Sequence, residues 1–102
     1  MLKGDIILIP FPFTDLTGTK LRPAIVLINS NYDITVCFIT TQIKWKEVTD
    51  IEIFPTANNG IKKYSLIRLS KIATVDKSLT VGRLGRLEKE ELYTLNANLK
   101  IL

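Results

Sequence analysis

Apolar residues in this 102-residue chain occur in short runs separated by turn-forming residues. Residues 5–9 form a short apolar strand that Pro10 and Pro12 are expected to stop, because proline removes a ladder donor. Residues 23–29 are nearly all apolar and predict a central strand buried on both faces. Residues 33–42 predict a second long strand, which pairs antiparallel with the first through the intervening turn.

The second half of the chain alternates polar and apolar positions in shorter segments, which predicts half-exposed strands. In chain order, the predicted elements are a connection or short helical turn at 43–48, a strand at 49–53, a polar loop at 55–63, two strands or one bent strand covering 65–69 and 71–75, a turn at 76–78 and a last strand at 79–84.

The C-terminal segment 88–101 has the pattern of an amphipathic helix. Its leucines recur at spacings of three and four, acidic residues occupy the first turn and Lys100 the last, in agreement with the helix dipole. Five to seven short strands and one helix predict a mainly β fold, a small antiparallel barrel or curled sheet. The helix is expected to cover one open end or edge, with the leucines Leu92, Leu95, Leu99 and Leu102 facing it.

Length and composition narrow the class of protein. A chain of 102 residues fits one domain, here 1–102. The chain has no histidine, which excludes Ser-His-Asp and Cys-His chemistry, and the single cysteine, Cys37, excludes an internal disulfide and predicts a core residue. The lack of disulfides favours a cytoplasmic location, and neither a signal peptide nor a membrane span is predicted.

The net charge of +4 favours a polyanionic partner, so residues able to bind phosphate are of interest. Arg22 joins the 11–21 loop to a strand, and its planar fork of donors matches a phosphate. Thr40 and Thr41 end the next strand, so the predicted hairpin brings Thr40 near Arg22. A surface salt bridge for Arg22 and simple strand propensity for Thr40 are the alternatives.

Two further segments carry candidate nucleic-acid contacts. Lys44-Trp45-Lys46 follows Thr41 and Gln42, and a tryptophan between lysines can stack a base while the lysines hold phosphates. The alternative is a packed tryptophan with solvated lysines. In the 11–21 loop, Asp15 is a candidate base.

The segments KGDIILIPF, LRPAIVLIN and CFITTQ, in this order and spacing, resemble the MazF/PemK family of toxins from type II toxin–antitoxin systems. The later run SLIRLSKIATVDKSLTVGRLGRL resembles the second half of that family. The resemblance covers nearly the whole chain and implies an SH3-like (CcdB/PemK-like) barrel, commonly a homodimer.

The resemblance also implies an activity. Members of the family cleave single-stranded RNA, chiefly mRNA, by attack of the 2′-hydroxyl, without a metal or other cofactor, and an antitoxin neutralises them. The catalytic arginine and threonine of the family correspond to Arg22 and Thr40. RNA-binding positions are expected at Phe13, Thr14, Asp15, Thr17, Lys20, Thr41, Gln42, Lys44, Trp45 and Lys46.

One position departs from the family pattern. Some members use a loop glutamate where this chain has Thr17, so the base is unassigned and Asp15 is the substitute candidate. Two alternative functions follow from the same fold: a non-cleaving toxin that inhibits DNA gyrase, and a degenerate member that only binds a partner.

Overall fold

The computed structural model describes residues 1–11 and 20–102, without the side chain of Phe11, and shows a curled antiparallel sheet with one C-terminal helix. This confirms the predicted mainly β class. The strand order is β4-β5-β3-β2-β1-β6, a half-barrel. The elements are β1 (Asp5–Phe11), β2 (Lys20–Asn29), β3 (Asp33–Thr40), β4 (Ile51–Ile53), β5 (Ser65–Asp76), a 3₁₀ turn (Lys77–Leu79), β6 (Gly82–Arg86) and α1 (Lys89–Leu99).

The first hairpin shows why Pro10 is tolerated inside β1. β1 continues through Pro10 to Phe11, where a loop was predicted, and Pro10 lies opposite Leu21. β6 pairs with β1 only over residues 5–8, so the missing N–H of Pro10 faces no β6 partner. The predicted loop at 11–21 is therefore shorter at both ends, and its residues 12–19 lie outside the described residues.

The predicted antiparallel pairing of β2 with β3 is confirmed, with Ala24 opposite Phe38 and Val26 opposite Val36. The prediction that all of 23–29 is buried on both faces is wrong. Only positions 24–26 are fully buried, and Ile28 is 58% exposed because β2 extends beyond the core near the turn.

The segments 65–69 and 71–75 form one strand, β5, with an irregularity opposite Cys37 and Phe38. The single bent strand, one of the two predicted arrangements, is therefore the correct one. The last strand was predicted at 79–84 but lies at Gly82–Arg86, because the carboxylate of Asp76 accepts a hydrogen bond from Ser78 N and caps a 3₁₀ turn that takes up Leu79.

The loop after β4 brings the two edges of the sheet together. The buried side chain of Asn59 organises it, since its amide donates to Phe54 O (2.8 Å) and its Oδ1 accepts from Ile61 N (2.9 Å). Arg86 N, on the opposite edge strand, donates to Asn58 O at 2.9 Å. Gly85 packs directly against the Asn58 and Asn59 backbone, a contact that leaves no room for a side chain.

Two apolar clusters fill the two faces of the sheet. Helix α1 covers the larger one, with Leu95 fully buried and Leu92 and Leu99 packed against it, as the leucine spacing predicted. The helix begins after Glu88, which forms a capping box with Glu91. It ends before Leu102, which is 59% exposed and not part of the face. The smaller cluster comprises Ile7, Ile9, Ala24, Val26, Ile34 and Val36. Within the described ranges, no helix has the length and apolarity needed to cross a membrane.

Cys37 lies in the larger cluster with none of its surface exposed, as predicted, and its thiol is free. Burial raises the pKa of this thiol to about 12. Because the thiolate is the nucleophile, we expect native protein at pH 8 to resist a thiol-reactive disulfide reagent, and denatured protein to react at once. Spectrophotometric titration of the released thiol checks this, and rapid labelling of folded protein would show that Cys37 is accessible.

Candidate functional site

A cleft of about 690 Å³ opens where β2 begins and β3 ends. Its described lining contains five basic residues and neither aspartate nor glutamate. The basic residues are Arg22, Lys62, Lys63, Arg68 and Lys71, the polar neutral ones Thr40, Thr41, Gln42 and Ser65, and the remainder Leu8, Pro23, Phe38, Ile39, Gly60, Ile61 and Leu84. Such a surface attracts anions.

Arg22 is held at the cleft by its neighbours in the sheet. Pro23 restricts the preceding residue to an extended backbone, and Arg22 lies opposite Ile9 of β1. Its side chain is exposed, and no ion pair among residues 1–11 and 20–102 involves it. The guanidinium fork therefore has donors available for an anionic ligand.

Thr40 is the last residue of β3, at the same end of the hairpin as Arg22. Continuing the register from the Ala24–Phe38 pair by two residues places Thr40 opposite Arg22. The Thr40 hydroxyl accepts a hydrogen bond from Gln42 N at 3.0 Å, which turns the chain and ends the strand. That bond uses a lone pair and leaves the hydroxyl proton available for donation.

The segment 41–50 crosses over β5 and is fixed by one buried ion pair. Arg68 Nη2 donates to Asp50 Oδ2 and to the carbonyl of Trp45, each at 3.0 Å. Glu47 N also donates to Asp50 Oδ2, at 2.8 Å. Residues 43–48 of this segment were predicted as a connection or a short helical turn, and they form a connection.

The tryptophan and lysines of this segment lie outside the described lining of the cleft. Trp45 is 72% exposed, and the Lys44 ammonium stands 5.5 Å from the centre of its ring. Lys46 forms an ion pair with Glu52 at 2.9 Å. The exposed ring and the paired lysine contradict the alternative of a packed tryptophan with solvated lysines, and RNA binding by Lys44-Trp45-Lys46 stays a prediction.

Lys46, Glu52 and Tyr64 form a polar network beside the β4 edge. The hydrogen bond to Glu52 raises the pKa of Lys46, and the same bond lowers the pKa of Glu52. Burial, followed by a hydrogen bond to Glu52, raises the pKa of Tyr64. The Tyr64 ring stacks on Phe54, with centroids 4.8 Å apart. Glu52 is therefore occupied by neighbours and is not a free base for the cleft.

Of the remaining predicted site residues, Thr41 and Gln42 line the cleft together with Arg22 and Thr40. Lys20 is exposed at the start of β2 and is not in the described lining. Phe13, Thr14, Asp15 and Thr17 lie outside the described residues.

The sequence did not indicate four of the basic lining residues. Arg68 and Lys71 belong to β5, whose pairing with β3 brings together residues about 30 positions apart. Lys62 and Lys63 lie in the polar loop predicted at 55–63. The adjacent lysine pair was the one available signal, since a local concentration of charge suggests a polyanion contact.

The arrangement suits chemistry on a phosphodiester. A guanidinium and a hydroxyl at neighbouring strand ends can donate to the oxygens of one phosphate group. Lysines around them can neutralise the flanking phosphates of a single strand. Stabilisation of developing charge by fixed donors is a large catalytic effect, and it requires no histidine.

Comparisons with known proteins give the family and the fold of this chain. Residues 2–102 match the family model described as PemK-like, MazF-like toxin of type II toxin–antitoxin system. A mycobacterial endoribonuclease solved in complex with its cognate antitoxin is 17% identical, with a TM-score of 0.72 over 99% of this chain and 90% of that one. The Mycobacterium tuberculosis toxin MazF-mt6 is 20% identical, with a TM-score of 0.75 over 95% and 93%. No curated protein sequence matches the chain.

Proposed function

The chain belongs to the family of PemK-like, MazF-like toxins of type II toxin–antitoxin systems, and from this premise we propose that it is a sequence-selective endoribonuclease acting on single-stranded RNA. The observation that carries the proposal is the shared cleft of Arg22 and Thr40, whose described lining is basic and free of carboxylates. The endoribonuclease named among its structural relatives supports the same activity.

In the proposed mechanism, RNA supplies the nucleophile. The 2′-hydroxyl loses its proton to a base, its oxygen attacks the adjacent phosphorus, and the bond from phosphorus to the 5′-oxygen breaks. The departing 5′-oxygen takes up a proton from water, which leaves a 2′,3′-cyclic phosphate and a 5′-hydroxyl. The fork of Arg22 donates to the non-bridging oxygens, whose negative charge increases in the transition state. The Thr40 hydroxyl donates to the same phosphate, while Gln42 N holds the oxygen of that hydroxyl in place.

Thr41, Gln42 and the lysines around the cleft are proposed to bind the strand on either side of the cut. Lys20, Lys44, Trp45 and Lys46, which are not in the described lining, are proposed to bind RNA farther from the cleft. Phe13, Thr14 and Thr17, which lie outside the described residues, keep their predicted role in binding RNA. Asp15 remains the candidate for the base that accepts the 2′-hydroxyl proton. We further propose that the protein acts in the cytoplasm, forms a homodimer and is neutralised by a cognate antitoxin, in line with the complex solved for its relative.

We expect purified protein to cut a long single-stranded RNA at discrete positions in the presence of EDTA, because the cleft residues supply the charge stabilisation themselves. Gel electrophoresis of a 5′-labelled transcript measures this. A DNA gyrase supercoiling assay run in parallel separates the alternatives. Intact RNA with inhibited gyrase would favour the gyrase toxin, and intact RNA with binding of an antitoxin peptide would favour the degenerate member.

A further inference from the structure

We propose that Arg68 is a second phosphate-binding guanidinium of the cleft, held in its orientation by the buried carboxylate of Asp50; the inference rests on the proposed RNA cleavage. Arg68 is in the described lining of the cleft and lies opposite Phe38 of β3. Thr40 lies opposite Leu66, two residues along β5. Arg68 and Thr40 are therefore diagonal neighbours, roughly 7–8 Å apart, within reach of a long side chain.

The guanidinium has more donors than the described chain uses. Arg68 Nη2 makes the bonds to Asp50 Oδ2 and Trp45 O, whereas Arg68 Nε is buried and has no hydrogen-bond partner within residues 1–11 and 20–102. A buried donor without an acceptor is unfavourable, and arginine presents five donors in a fixed fork. A phosphate in the cleft would give the unused part of this fork acceptors.

Asp50 fixes the orientation of the Arg68 guanidinium. The side chain of Asp50 has no exposed surface and that of Arg68 is 16% exposed, so the pair is shielded from solvent. The carboxylate also accepts from Glu47 N and so fixes the guanidinium to the 41–50 segment. The neighbouring Lys62 and Lys63 are exposed and have no such anchor among the described residues, so Arg68 is the oriented donor among these cations.

The test measures binding of a short single-stranded deoxyoligonucleotide, which lacks the 2′-hydroxyl and stays intact, at several salt concentrations. A contact to one phosphate contributes about 0.7 to the slope of log K against log salt for a single strand. We expect Arg68→Gln to reduce the slope by about that amount. The matched control is Arg83→Gln, because Arg83 also pairs with a carboxylate (Asp5, 3.5 Å) but lies outside the described cleft lining. Its slope should equal that of wild type.

A merely structural role would change the unfolding midpoint without changing the slope, so equal slopes for the folded Arg68→Gln and Arg83→Gln variants would overturn the proposal. If Arg68→Gln does not fold, the same binding measurement is made with Arg68→Lys. It keeps the charge and loses the fork, so the slope should persist while Kd rises at every salt concentration. An unchanged Kd would overturn the proposal.

The same measurements distinguish a failure of the proposed RNA cleavage from a failure of the proposed role of Arg68. Wild type that neither binds the oligonucleotide nor cuts RNA contradicts the nuclease function, and the role of Arg68 fails with it. Wild type that binds and cuts, combined with an Arg68→Gln slope equal to wild type, contradicts only the role of Arg68.

Discussion

Replacing Arg22 with alanine is expected to lower kcat/KM for RNA cleavage by about 10²–10³-fold. Removing one preorganised donor from a developing oxyanion typically has an effect of this size. We expect a large effect because Arg22 lines the cleft and has no ion-pair partner in the described chain. It also lies opposite Thr40 when the β2–β3 register is continued two residues beyond the Ala24–Phe38 pair. Initial rates of cleavage of a fluorescent RNA oligonucleotide measure the change.

Two further variants make the Arg22 result specific. Arg22→Lys keeps the charge and loses the planar fork, so it should retain part of the activity. Arg83→Ala removes the same kind of side chain outside the described cleft lining, where Asp5 keeps its bond to Arg86 at 2.6 Å. Its rate should match wild type. Equal rates for Arg22→Ala and Arg83→Ala would contradict a catalytic role for Arg22.

Replacing Gly85 with alanine is expected to destabilise the fold by about 1–3 kcal/mol, the usual cost of overpacking. A Cβ at this position would collide with the carbonyl oxygen of Asn58 and the backbone of Asn59. Backbone cannot rotate away as a flexible side chain can, so the loop that joins the two sheet edges must move. Gly60 and Ile61, which line the cleft, are in the same loop, and the movement should reduce RNA cleavage as well.

Gly82→Ala is the matched control, in the same strand. Apart from Gly82 itself and its two chain neighbours, no atom of the described residues lies within 4 Å of the position that a Cβ would take there. This variant should be neutral or more stable by about 0.4–1 kcal/mol, because alanine lowers the entropy of the unfolded chain. Urea unfolding followed by circular dichroism compares the two free energies of unfolding. Equal stabilities would show that the Gly85 contact does not hold the sheet edges together.

Features that depend on residues close together in the sequence could be predicted from it. The leucine spacing predicted that Leu92, Leu95 and Leu99 would pack against the core, although the helix ends before Leu102. The short turn between two apolar strands was enough to predict the β2–β3 hairpin. That hairpin in turn brought Arg22 and Thr40 to the same end.

Features that depend on contacts between residues far apart in the sequence could not be predicted from it. In the sequence, Arg68 is one polar position of an alternating segment, and its buried bond to Asp50 forms only when the 41–50 segment crosses β5. The end of the last strand was misplaced because the Leu79–Leu84 segment also alternates. The cap at Asp76 and the Gly85 contact with Asn58 decide where β6 lies.

The most direct test of the proposed function uses one RNA oligonucleotide containing the cut site and a copy with a single 2′-deoxy sugar immediately 5′ of the cut, both in EDTA. We predict that wild type cuts the RNA and leaves a 2′,3′-cyclic phosphate and a 5′-hydroxyl, identified by mass spectrometry, while the deoxy copy stays intact. Cleavage of the deoxy copy, or products that carry a 5′-phosphate, would contradict attack by the 2′-hydroxyl in the cleft of Arg22 and Thr40.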